Sequence, residues 1–101
     1  MPESVNQSVS KMKELMDVFL DFGLEFENNE NEIRLRAVVD QVSMNPDKFM
    51  KVEQYDKKII YDEFSCCNRI SVSKGNLTHQ IYIPKDIKVE YSRPYLFIKF
   101  K

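Results

Sequence analysis

Met12, Leu15, Met16, Phe19 and Leu20 recur at i, i+3, i+4, i+7 and i+8, the stripe of an amphipathic helix. The spacing predicts a helix over residues 9–22, preceded by a polar, frayed segment 1–7. Ser8 or Ser10 suits its N-cap, because a hydroxyl there accepts a free backbone N–H. Gly23 suits the left-handed residue that ends a helix, and Leu24 the apolar contact that closes such a cap.

After the polar turn Asn28–Asn31 the period changes to two. Ile33, Leu35, Ala37 and Val39 share one face, and Arg34 and Arg36 point the other way, which reads as one strand with a wet face. Met44-Asn45-Pro46-Asp47 breaks it. Phe49 to Tyr55 reads equally as a short strand or an irregular segment, and Lys57 to Ser65 as a strand. Lys74-Gly75-Asn76-Leu77 is a hairpin signal, since Gly75 supplies a positive φ without steric cost. A two-residue loop there pairs Val72 with His79 and Ile70 with Ile81 on one apolar face, and leaves Arg69, Ser71, Gln80 and Tyr82 on the other. Ile87, Val89 and Tyr91 alternate next, Ser92-Arg93-Pro94 turns the chain, and Leu96, Ile98 and Phe100 alternate with Tyr95, Phe97, Lys99 and Lys101.

One helix followed by closely linked strands implies an α+β fold: an N-terminal helix packed on a mainly antiparallel sheet of five or six strands, in two layers. The 101 residues, 43% hydrophobic and 31% charged, are expected to form a single domain, 1–101, with a core of its own. No stretch of 18 apolar residues is present and the first residues lack a signal-peptide pattern, so no membrane segment and a cytoplasmic location are expected. The adjacent Cys66 and Cys67 read as reduced thiols of a reducing compartment. One alanine against plentiful Lys, Ile, Asn, Tyr and Phe suggests an AT-rich coding sequence, as in many viruses and mobile elements.

The net charge of −1 conceals an asymmetry. Residues 1–66 carry 8 Lys/Arg and 14 Asp/Glu, whereas residues 67–101 carry 7 and 2. Such a division implies either charge matching within the chain or an anionic partner for the basic end.

Candidate chemistry is sparse. His79 is the one histidine, so any Ser–His–Asp or Cys–His arrangement would have to use it. Its register beside Val72 near a turn reads as a rim or core residue. The Cys pair and His79 lack the spacing of metal ligands. Asp17, Asp21 and Glu25 read as a solvated helix face, and two glycines so far apart cannot build a phosphate loop. No enzyme, no catalytic residue, no metal and no cofactor are expected.

The informative cluster is the C-terminal strand. Tyr95 and Phe97, with Lys99 and the nearby Arg93, form an aromatic anchor in a basic rim, which suits a protein partner. The expected function is a small protein-binding module, of the kind a virus or mobile element uses to occupy a surface of a host machine. Pairing of the terminal strand at a sheet edge would make a homodimer. The alternative is a nucleic-acid platform of Arg69, Tyr82, Tyr95, Phe97, Lys99 and Lys101, since bases stack on rings and phosphates pair with cations.

Residues 11–56, from Lys11-Met12-Lys13-Glu14-Leu15 through Glu32-Ile33-Arg34-Leu35-Arg36-Ala37 to Phe49 and Tyr55, resemble the opening helix and strands of a sliding-clamp subdomain. Residues 83–98, from Ile83-Pro84-Lys85-Asp86-Ile87 through Tyr95-Leu96-Phe97-Ile98, are similar to one hairpin of the small heat-shock and p23-like sandwiches. Each resemblance covers a minority of the chain, and no functional residue is carried over from either.

Overall fold

The computed structural model describes residues 3–42 and 49–100. Helix α1 spans Glu3–Asp21, six residues further toward the N-terminus than the apolar stripe alone predicts. Ser8 and Ser10 therefore lie inside the helix rather than at its cap. Residues 3–8 hold neither Gly nor Pro, and Glu3 favours a first turn through the helix dipole. The other end is a Schellman cap. Gly23, at φ +77°, donates its N–H to Leu20, and Leu24 donates to the Phe19 carbonyl at 2.8 Å. Leu24 and Phe19 are both buried in the one core cluster, as the apolar contact of such a cap requires. The buried stripe is Leu15, Val18 and Phe19, flanked by Met12 and Met16; Leu20 is 64% exposed, not part of it.

Among the described residues nine strands follow, in two antiparallel sheets rather than one sheet of five or six. They are β1 (Glu27–Asn28), β2 (Glu32–Arg36), β3 (Val38–Val42), β4 (Phe49–Gln54), β5 (Lys57–Glu63), β6 (Asn68–Lys74), β7 (Leu77–Ile83), β8 (Lys88–Ser92) and β9 (Tyr95–Lys99). The small sheet has the order β1-β2-β9-β8, and the large sheet is the meander β3-β4-β5-β6-β7. The uncertain segment from Phe49 is thus a strand, and the break expected at Met44–Asp47 lies outside the described residues.

The strand expected from Glu32 onward is divided at Ala37, where the chain leaves the small sheet and enters the large one. Ala37 is buried at this corner, its N–H donates to the Pro94 carbonyl at 2.8 Å, and its carbonyl accepts from the Tyr91 hydroxyl at 3.0 Å. Alternation of side chains continues through the corner, so the period gives no sign of it. At the other end of β2, the Asn29 side-chain oxygen accepts the N–H groups of Asn31 and Glu32, an Asx turn that returns β1 to β2.

The hairpin at Gly75 has the predicted register, with Val72 opposite His79 and Ile70 opposite Ile81. Gly75 has φ +60° and Asn76 does not share the positive sign, so the turn is type II′. Ile33 and Leu35 of β2 pair with Ile98 and Leu96 of β9, and Ile59 of β5 pairs with Val72 of β6. These rows and the Leu15–Val18–Phe19 stripe form one apolar cluster that joins α1 to both sheets. Phe19 and Phe26 meet edge to face, ring centres 5.8 Å apart. Each fully buried Leu, Ile or Phe contributes about 1.5–3 kcal/mol by removal from water. The fold is α+β with one helix and two antiparallel sheets, and the helix contacts strands of both.

Candidate functional site

Alternation along β9 sends Leu96 and Ile98 into the core and Tyr95, Phe97 and Lys99 to the opposite face. The two rings are neighbours there, with centroids 6.3 Å apart and planes inclined by 52°. β9 lies between β2 and β8, so it has neighbours on both sides. This corrects the expectation of an edge strand: the terminal strand offers no free edge for a homodimer.

The register supplies the rim. Arg34 and Arg36 of β2 stand opposite Phe97 and Tyr95, and Glu90 and Ser92 of β8 stand opposite them on the other side. The Arg34 guanidinium lies 4.8 Å above the Tyr95 ring and also pairs with Glu27 of β1. Its proton is held more firmly than usual, chiefly by that hydrogen bond to Glu27. Lys99 lies 5.7 Å from the Phe97 ring centre and bonds Glu90 at 2.9 Å, and the Glu90 bond raises its pKa. Rings, guanidinium and ammonium are thus set in fixed places by cross-strand pairs. Arg34, Arg36, Glu27 and Glu90 were not singled out from the sequence as site residues. The wet face of the strand was visible at Arg34 and Arg36, but its alignment beside β9 joins Arg34 to Phe97 and Arg36 to Tyr95, residues 63 and 59 positions apart.

Arg93 sits in the β8–β9 turn, before Pro94, whose peptide bond is cis. It is exposed and lines a cleft of about 600 Å³ with Glu25, Arg36, Ala37, Val38, Gln54, Tyr55 and Pro94. Arg36 and Arg93 form no ion pair among the described residues. Tyr55 in the β4–β5 turn is 73% exposed, has φ +58°, and its hydroxyl donates to Glu25 at 3.3 Å. A bulky residue at positive φ is a sparsely populated conformation that surrounding contacts must hold.

Arg69 and Tyr82 are elsewhere, on the outward face of the large sheet. Arg69 bonds Asp62 at 2.8 Å and lies 5.0 Å from the Phe64 ring centre and 6.0 Å from that of Tyr82. Its pKa is raised, first by the Asp62 hydrogen bond and then by Tyr82. This pair matches a charge of the basic third to one of the acidic remainder. The six residues of the nucleic-acid platform are therefore not assembled: Tyr95, Phe97 and Lys99 share one sheet, Arg69 and Tyr82 the other, and Lys101 lies outside the described residues.

His79 is exposed near the start of β7, opposite Val72. Cys66 and Cys67 are free thiols with sulfurs 3.6 Å apart, in the bend between β5 and β6 rather than in a strand. Their shared hydrogen bond pushes the Cys67 thiol up. Among the described residues no group of three or more His, Cys, Asp or Glu could hold a metal ion, and no helix is long and apolar enough to cross a membrane. No protein-family model, curated protein or solved structure matches this chain.

Proposed function

We propose that the chain is a non-catalytic protein-binding module that docks its partner on the outward face of the small sheet. The observation that carries this reading is the pair of neighbouring rings, Tyr95 and Phe97, on a sheet face turned away from the core. Tyr and Arg are among the residues most enriched at binding hot spots, and Phe97 adds apolar ring area beside Tyr95 and Arg34. Arg34, Arg36, Arg93 and Lys99 supply positive rim charges, and Glu27, Glu32 and Glu90 negative ones.

The mixed signs favour a protein over a nucleic acid. Phosphate binding needs cations free to replace counterions, whereas Arg34 and Lys99 already bond carboxylates and only Arg36 and Arg93 of the rim are without an ion pair among the described residues. A protein surface with charges of both signs complements such a rim. A compact module of this kind suits an accessory role, in which the partner's surface is occupied rather than chemically altered.

Fluorescence anisotropy with labelled single- and double-stranded DNA and RNA, at roughly 50 and 200 mM salt, separates the classes, since phosphate-driven binding collapses across that range. The proposal expects no salt-sensitive binding to any of the four. Micromolar binding that falls by orders of magnitude, and that Phe97→Ala abolishes, would transfer the face to nucleic acid.

A further inference from the structure

Among the described residues the two sheets present four edge strands, and three of them are blunted. β1 is two residues long. β8 alternates Lys88 and Glu90 along its length, and charged side chains oppose further pairing. β3 is interrupted by a register shift between Val39 and Gln41, a bulge that twists an edge away from a neighbour.

β7 has none of these protections. It is seven residues long, pairs with β6 without a register shift, and reads Leu77-Thr78-His79-Gln80-Ile81-Tyr82-Ile83 with no Lys, Arg, Asp, Glu or Pro. Leu77 through Gln80 are exposed on both faces, Leu77 at 68%. Lys74 opposite Leu77 closes the two-residue hairpin, so the main-chain groups of Leu77, His79, Ile81 and Ile83 turn toward β6. Those of Thr78, Gln80 and Tyr82 turn outward. No backbone hydrogen bond reaches them among the described residues.

We propose that β7 is a homodimer interface, pairing antiparallel with β7 of a second copy about a two-fold axis at Gln80. In that register Gln80 faces Gln80, and Thr78 of each copy faces Tyr82 of the other. All three outward residues then exchange both main-chain bonds with a partner. A two-fold axis makes a strand meet its own sequence. The uncharged run from Leu77 to Ile83 is self-complementary in this respect, because no like charges come together across the axis. Leu77, exposed in the single chain, falls opposite Ile83 of the second copy. Two five-stranded sheets become one continuous sheet, and the Tyr95–Phe97 face lies on the other sheet.

Light scattering on the eluting full chain, loaded at about 100 µM so that a micromolar dimer is populated, tests this directly. The expected mass is twice the 12.0 kDa of the chain. Gln80→Lys and Gln80→Glu should each elute as folded monomers, because each sets like charges opposite one another at the axis, and an equimolar mixture should return to the dimer mass. Gln80→Pro should also be monomeric with an unchanged circular-dichroism spectrum, since the N–H it removes has no backbone partner among the described residues. A monomeric wild-type chain overturns the proposal, whether or not the strand takes a segment of some other protein. So does a dimer that survives Gln80→Lys, or a charge-swapped mixture that stays monomeric.

Discussion

The side-chain amide of Gln54, at the end of β4 in the large sheet, donates a 2.8 Å hydrogen bond to the carbonyl of Arg36, at the end of β2 in the small one. The same amide donates to the Glu25 carbonyl at 2.9 Å and accepts the Glu25 N–H at 2.7 Å. Gln54 is 6% exposed, so Leu in its place would set an apolar side chain against these three main-chain groups. One side chain thus ties the helix-to-sheet connection and both sheets beneath the cleft that Arg36 and Arg93 line. Replacement Gln54→Leu leaves the three groups without partners, and buried unpaired groups are costly. The urea midpoint should fall by an amount equivalent to about 2–4 kcal/mol, and the Arg36–Ala37 corner should lose amide-exchange protection.

The local features of this fold were legible in the sequence and the non-local ones were not. The Schellman cap at Gly23 and the hairpin at Gly75 each depend on a few consecutive residues, and both form as the spacing predicts. The partition into two sheets depends on the turn at Ala37, where the hydrophobic period passes from β2 to β3 unbroken. The pairing of Ile33 with Ile98 is set by packing between distant segments. For the same reason Tyr95, Phe97 and Lys99 could be assigned to one face from alternation, while their neighbours Arg34 and Arg36 could not. The grouping of Arg69 and Tyr82 with them failed because the sequence holds no sign that the chain builds two sheets.

Phe19 and Leu20 are adjacent in α1 but differ in environment: Phe19 is fully buried against Phe26, whereas Leu20 faces solvent. Phe19→Ala should cost about 3–5 kcal/mol in chemical denaturation, through lost burial and the cavity left behind. Leu20→Ala should change stability by less than about 0.5 kcal/mol.

A methyl group added at Gly75 meets no heavy atom within 4 Å, so Gly75→Ala isolates the backbone term. At φ +60° that term should destabilise by about 1 kcal/mol, read from the thermal midpoint, without altering the fold.

The hydrogen bond with Cys66, burial and the neighbouring thiol all raise the Cys67 pKa, and Lys85 opposes them weakly. Thiolate is the reactive form, so a raised pKa means less of it at any given pH below that value. Cys67 should therefore be alkylated slowly by iodoacetamide at mildly alkaline pH, and Cys66→Ala, which removes the hydrogen bond and the neighbouring thiol, should accelerate it. Peptide mass spectrometry of a timed reaction checks both.

The outward face of the small sheet is tested most directly by placing a photo-reactive benzoyl-phenylalanine at Phe97 and, separately, at Lys58 on the outward face of the large sheet. Irradiation in the native cells should give a discrete, nuclease-resistant protein adduct from position 97 and none from position 58, with adduct formation lost when Tyr95→Ala is added. Adducts of equal yield from both positions, no adduct from position 97, or an adduct that nuclease destroys would contradict the assignment of this face to a protein partner.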